Sequence, residues 1–175
     1  MNKMDRHGKL LNPHTLQFVR VLPGPIERIW DYLTDAEKRK QWFCDGTSAL
    51  IPGQQINFVF YNSQLGHPPH PAPEKYQDYG DGFESKAVVV KAEKPHLFVI
   101  EWEGLVTFQL EPDGDQVKLT LTHENLADTK DSRVGTLAGW HTHLDLLEEV
   151  LHDRTPSSFW PAHMDQEGVY EQRVD

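Results

Sequence analysis

Glu101 and His123 are the two residues whose types best suit proton transfer. A carboxylate in an apolar pocket is driven toward its neutral form, a neighbouring imidazole opposes that rise, and together they can serve as general acid and base. Whether they meet depends on strand register. With Glu103-Gly104 as a two-residue hairpin turn, Trp102 pairs with Leu105 and shares a face with Ile100 and Thr107. Glu101 then joins Val99, Val106, Phe108 and Leu110 on the opposite face, and Val117, Leu119, Leu121 and His123 share a face of the next strand. This register expects both residues to look into one apolar interior; one more residue in the turn would bring Trp102 inward instead. The competing account leaves both at solvated strand ends.

Other chemistry-bearing residues are less well placed. His141 lies one helical turn before Asp145, beside an apolar stripe, where it would orient a ligand or border the core with a satisfied hydrogen bond. His143 falls on a different side, so this His-x-His does not aim two rings at one metal. His67, His70 and Glu74 offer donors for a divalent ion, but no helix or strand fixes their spacing, and a solvated proline-rich loop accounts for them better. Cys44 has no adjacent base to activate it. As the single cysteine it excludes an internal disulfide and a Cys-based zinc site. Phosphate loops, nucleophile elbows and His-Glu-x-x-His helices are missing; no metal and no cofactor are expected.

The elements that must position these residues are legible from their periods. Over 132–151, Val134, Leu137, Trp140, Leu144, Leu147 and Leu151 recur at three- and four-residue steps, with Thr142, Asp145, Glu148 and Glu149 largely between them. This is an amphipathic helix needing an apolar partner. Gly139 inside it costs ~1 kcal/mol relative to Ala, as expected where something must approach the backbone closely. Alternation predicts strands at 15–22, 47–51, 54–61, 82–92, 96–102, 105–111 and 116–125, joined mostly by short turns that require antiparallel pairing. Pro23-Gly24-Pro25 ends the first strand and opens a helix whose face is Ile26, Ile29, Trp30 and Leu33. A second short helix, 36–43, carries Glu37, Lys38, Arg39 and Lys40 toward solvent and ends on Trp42 and Phe43. Residues 62–81 are expected to form a long extended loop, of the sort that often guards a site.

Composition limits the function classes. The chain has 175 residues, 27 acidic and 17 basic, for a formal net charge of −10. Such a field repels phosphate backbones and anionic lipid, so nucleic acid is not an expected partner. Apolar runs are too short to cross a bilayer and the start is polar, so no membrane insertion and a cytoplasmic location are expected. The organisation predicted is a flexible N-terminus (1–14), one domain (15–152) and a tail (153–175). Phe159, Trp160 and Tyr170 suggest that the tail packs on the domain or on another subunit, the latter giving a homodimer.

The segment PIERIWDYLTDAEKRKQWF from Pro25 resembles the opening of the family related to activators of the heat-shock protein 90 ATPase. KPHLFVIEW from Lys94, LTLTHENL from Leu119 and GWHTHLDLL from Gly139 resemble its later segments in the right order. The resemblance covers roughly 15–152. It implies an α+β, START-like (SRPBCC) helix-grip fold, shared with polyketide cyclases and plant pollen-allergen proteins. Such a fold wraps a curved antiparallel sheet of six or seven strands around the long C-terminal helix, with two short helices after the first strand. It also implies a cavity between helix and sheet that takes an apolar or aromatic small molecule. Residues expected to line that cavity are Trp42, Phe43, Phe58, Phe60, Glu101, Phe108, His123, Trp140, His141 and Leu144. Binding without turnover is the simpler expectation. The alternatives are a cyclase- or hydrolase-type enzyme using Glu101 and His123, and a chaperone-binding regulatory module.

Overall fold

Alternating apolar residues build a single antiparallel sheet in a computed structural model that describes residues 5–49 and 51–175. Residues 1–4 of the predicted N-terminal segment and Leu50 of the predicted strand 47–51 lie outside the described residues. The strands are β1 (Lys9–Asn12), β2 (Thr15–Pro23), β3 (Asp45–Gly46), β4 (Gln55–Phe60), β5 (Phe83–Glu93), β6 (Leu97–Glu101), β7 (Leu105–Asp113) and β8 (Gln116–Glu124). Their spatial order is β1-β2-β8-β7-β6-β5-β4-β3. Helices α1 (Ile26–Thr34) and α2 (Ala36–Arg39) follow β2, and α3 (Lys130–Leu151) and α4 (Phe159–Arg173) follow β8.

Period-two patterning sends Leu16, Phe18 and Leu22 of β2, Ile56 and Phe58 of β4, and Val106, Phe108 and Leu110 of β7 to one buried face. Against it lies α3, through Val134, Leu137, Trp140, Leu144 and Leu147. Thr129 caps α3 by accepting a hydrogen bond from the Ser132 N–H. This is the helix-grip arrangement, with eight strands where six or seven were predicted.

Four segments differ from expectation. The N-terminus is not loose from residue 5 onward: β1 pairs with β2, and the buried Gly8 N–H donates to the Tyr170 hydroxyl at 2.8 Å. The predicted strand at 47–51 is replaced by the two-residue β3, because the following backbone is used by the helices. Ala49 N–H donates to Thr34 O, and Ala36 N–H to Ser48 Oγ. Helix α2 stops at Arg39, which is buried rather than solvent-facing, since its guanidinium hydrogen-bonds the Cys44 and Thr47 carbonyls and lies 4.8 Å from the Phe58 ring centre. The tail forms α4, a 15-residue helix. It packs on α3, so that Thr142, His143 and Leu146 are buried on a side the periodicity reads as polar.

Arg20 is the charged residue of the inner sheet face. Its guanidinium donates to Asp145 Oδ1 at 2.8 Å and twice to the Arg6 carbonyl, tying β2, α3 and the N-terminal segment together. Burial alone would raise the Asp145 carboxyl. Hydrogen bonding from His141 and the positive charge of Arg20 outweigh it and hold the group at about 2.

Candidate functional site

The β6–β7 hairpin decides which side chains reach the interior. Glu101 pairs with Leu105, leaving a three-residue connection of Trp102, Glu103 and Gly104. The two-residue turn predicted from Glu103-Gly104 is therefore corrected by one position, and the facing of its neighbours reverses. Glu101 is exposed on the outer side of the sheet, and Trp102 turns inward, its indole N–H donating to Ser85 Oγ at 2.9 Å. Gly104 permits the turn: its φ is +119°, and a Cβ there would stand 2.2 Å from the Glu124 carbonyl oxygen.

His123 does face inward, opposite Val106, but both ring nitrogens are engaged. Nε2–H donates to the Glu103 carbonyl at 2.9 Å, and Nδ1 accepts the Trp140 indole N–H at 3.0 Å. Burial depresses its pKa, only partly offset by that carbonyl, so the ring is held neutral. His123 thus locks the turn to α3. The Glu101–His123 acid–base pair does not form.

Around Trp102 and Trp140 opens a cavity of about 240 Å³. Phe43, Phe60 and Phe83 form one wall, and Phe43 stacks on Trp140 with ring centres 5.2 Å apart. Gly135, Thr136, Gly139, Trp140 and His143 supply the α3 side. The cover comes from two stretches. Tyr76 and Tyr79 belong to a short 3-10 segment (Glu74–Tyr79) in the proline-rich loop, and Phe159, Trp160 and His163 belong to α4. These stretches hold each other: Tyr76 stacks on Trp160 at 5.2 Å, Trp160 Nε1–H donates to Ser63 Oγ, and the Tyr76 hydroxyl donates to Glu167.

Glycines shape the α3 side. A methyl at Gly135 would meet only the Tyr76 hydroxyl oxygen, at 3.9 Å, and one at Gly139 only His163 Cε1, also at 3.9 Å. The close approach expected at Gly139 is thus ordinary van der Waals contact. Neither residue is required by packing, and the room they leave adjoins the cavity.

Few polar groups border this space. His143 donates Nδ1–H to the Trp42 carbonyl at 2.9 Å, and complete burial pushes its pKa down to about 3. Asn62 Oδ1 and both ring nitrogens of His163 are buried without a hydrogen-bond partner. Glu103 stands at the edge, its carboxyl raised by desolvation. Among the described residues, no group of three or more His, Cys, Asp or Glu is arranged to hold a metal.

Of the sequence-predicted lining, Phe43, Phe60, His123 and Trp140 border the cavity. Trp42 and Phe58 lie behind Phe43 as core, at ring distances of 5.3 and 5.5 Å, and Phe108 packs behind Trp140. Leu144 is buried in the core, away from this lining. His141 is corrected outright. It faces the N-terminal segment, accepting the Tyr170 hydroxyl at Nδ1, with Nε2 3.4 Å from Asp145. The cavity is bordered instead by His143, which periodicity set aside, and by the loop and tail residues. Cys44 is buried and its thiol pushed up to about 12, which leaves it unreactive.

An eight-stranded antiparallel sheet holding a long helix across a small aromatic cavity defines a START-like, helix-grip protein. Residues 23–152 match the family described as activator of Hsp90 ATPase homolog 1-like protein, and the chain belongs to that family. A protein from Bordetella parapertussis, solved by NMR in solution, is 36% identical and superposes with a TM-score of 0.79 over 97% of this chain and 91% of that one. CalU16 from Micromonospora echinospora shares the fold at 17% identity and a TM-score of 0.62, covering 90% of this chain and 86% of that one. So does the Aha1 dimer from Colwellia psychrerythraea, at 20% identity and 0.61, covering 78% and 95%. No match is found among curated proteins. No helix among the described residues is long and apolar enough to cross a membrane.

Proposed function

We propose that this chain binds an aromatic, largely apolar small molecule in the cavity between α3, α4 and the inner sheet face. The observation that carries the reading is the pair Gly135 and Gly139. A helix of 22 residues keeps two interior glycines, one turn apart on the cavity side, where alanine would meet no obstacle. Each costs ~1 kcal/mol in helix stability, a cost that makes sense if their space belongs to a ligand. The surrounding walls are rings, and such walls suit a flat ligand. A volume of about 240 Å³ exceeds the ~150 Å³ that accommodates benzene, which points to one or two fused rings.

The reading is binding rather than turnover. Glu101 lies across the sheet from His123, and His123 has no free nitrogen. The test is a thermal-shift screen of the full chain against one- and two-ring aromatics. A ligand at ~100 times its dissociation constant stabilises by ~2.7 kcal/mol, and a Gly139→Leu variant, whose side chain enters the cavity, should lose that shift. An absence of shifts across the library, or shifts that persist unchanged in Gly139→Leu, would overturn the assignment.

A further inference from the structure

We infer that the ligand is a neutral aromatic bearing a hydroxyl group, held by hydrogen bonding to His163; this rests on the cavity being a ligand site. His163 is only 5% exposed. Its ring sits between Phe159, stacked at 5.4 Å, and the edges of Tyr76 and Trp160 at 5.1 and 5.7 Å. Yet Nδ1 has no hydrogen-bond partner, and Nε2 has only Glu167 Oε1, at 3.5 Å and outside hydrogen-bond geometry. His123 uses both its nitrogens, His141 is bonded to Tyr170, and His143 to the Trp42 carbonyl. An imidazole orphaned in an interior is a cost that a bound polar group would remove.

The surroundings indicate which polar group. Nε2 lies 3.5 Å from Glu167 Oε1, close enough for that carboxylate to favour a proton on Nε2. The carboxylate itself is anchored by the Tyr76 hydroxyl and, at 3.3 Å, by the Lys75 ammonium. Nδ1 then remains as an acceptor. Asn62 also borders the cavity, and its buried Oδ1, without a partner, is a second acceptor. Two orphaned acceptors call for a donor from the ligand. Among the described residues no Lys or Arg borders the cavity, Glu103 stands at its edge, and the Lys75 ammonium is already paired with Glu167 behind His163, so a carboxylate or phosphate would find no free cation there. Phenols and naphthols have the required combination of flat apolar surface, neutrality and one O–H donor.

Calorimetric titration of the full chain at pH 7.5 with 2-naphthol, naphthalene and 2-methoxynaphthalene tests this directly. In the wild-type chain 2-naphthol should bind about tenfold tighter than the other two, the worth of one buried hydrogen bond. His163→Phe should remove the tenfold preference and bring 2-naphthol to the affinity of the other two. Equal affinities in the wild type, or a hydroxyl preference that survives in His163→Phe, overturn the inference but leave the ligand site standing. Failure of all three to bind removes the ligand site, and the hydroxyl preference with it. Because the wild-type ranking can refute the inference unaided, the test does not depend on the variant folding.

Discussion

Replacing Gly135 and Gly139 together by alanine should make this protein more stable and a poorer binder. Both positions lie inside α3, and beyond the helix's own backbone the nearest atom to either new methyl is 3.9 Å away, so no overpacking cost opposes the gain in helix propensity. At ~1 kcal/mol per Gly-to-Ala exchange the pair contributes about 2 kcal/mol, which for a domain of this size raises Tm by roughly 4–8 °C. The same methyls stand against Tyr76 and His163, and the cavity they narrow is only about 240 Å³. Calorimetric unfolding with and without 2-naphthol separates the two effects. The variant should melt higher alone and show a smaller ligand-induced shift than the wild-type chain. A lower melting temperature without ligand would mean that packing does require the glycines. A higher one with an undiminished ligand shift would mean that their space is not where the ligand lies. Either result refutes the argument for the site.

Further predictions follow from the buried polar groups. His123, His141, His143 and His163 are all held neutral by burial, so their pKa values are depressed and the folded chain binds fewer protons than the unfolded one below pH 6.5. Stability is therefore fully present above 6.5 and falls as pH drops. His143 alone, at about 3, accounts for about 2 kcal/mol by pH 5; urea midpoints at pH 7.5 and 5 check this, and His143→Gln should flatten the difference. Gly104→Ala sets a side chain at φ +119° and 2.2 Å from a backbone oxygen, and should cost more than about 3 kcal/mol or prevent folding. Tyr170→Phe strands the Gly8 N–H and His141 Nδ1. A loss of about 1–3 kcal/mol is expected, with hydrogen exchange at Gly8 accelerated beyond what global destabilisation explains.

The architecture was legible wherever one face of an element meets the core. β2, β4, β7 and β8 alternate cleanly, and the predicted spans of β2 and β4 to β8 agree with the observed strands to within two residues. Two-faced burial hid the rest. Because α4 covers the far side of α3, His141 and His143 are both buried, and a single-stripe reading could not say which one borders the cavity. Helix α4 is hidden in the sequence for a related reason. Its buried face is Phe159, Trp160, His163, Glu167 and Tyr170, a helical spacing visible only if a histidine and a glutamate are counted as interior.

The turn at Glu103-Gly104 shows what a one-residue ambiguity costs. Parity offered a signal that outweighed the turn: Phe98, Ile100 and Trp102 carry more apolar and aromatic surface than Leu97, Val99 and Glu101, and the heavier set is the one that faces inward. Weighting rings above aliphatic groups in a sheet that must grip an aromatic helix would have selected it. The cavity is harder to read, because it is defined by side chains that are missing. Gly135 and Gly139 look in sequence like weaknesses in a helix, and become informative only once the atoms around them show that nothing in the protein asks for their absence. His163 adds the complementary sign, a buried imidazole with Glu167 no nearer than 3.5 Å to Nε2 and no partner at Nδ1. Room beside Gly135 and Gly139 on α3 and an unpartnered imidazole nitrogen on α4 are the two observations on which the proposed ligand site rests, because a core packed only for stability fills its space and pairs its polar groups.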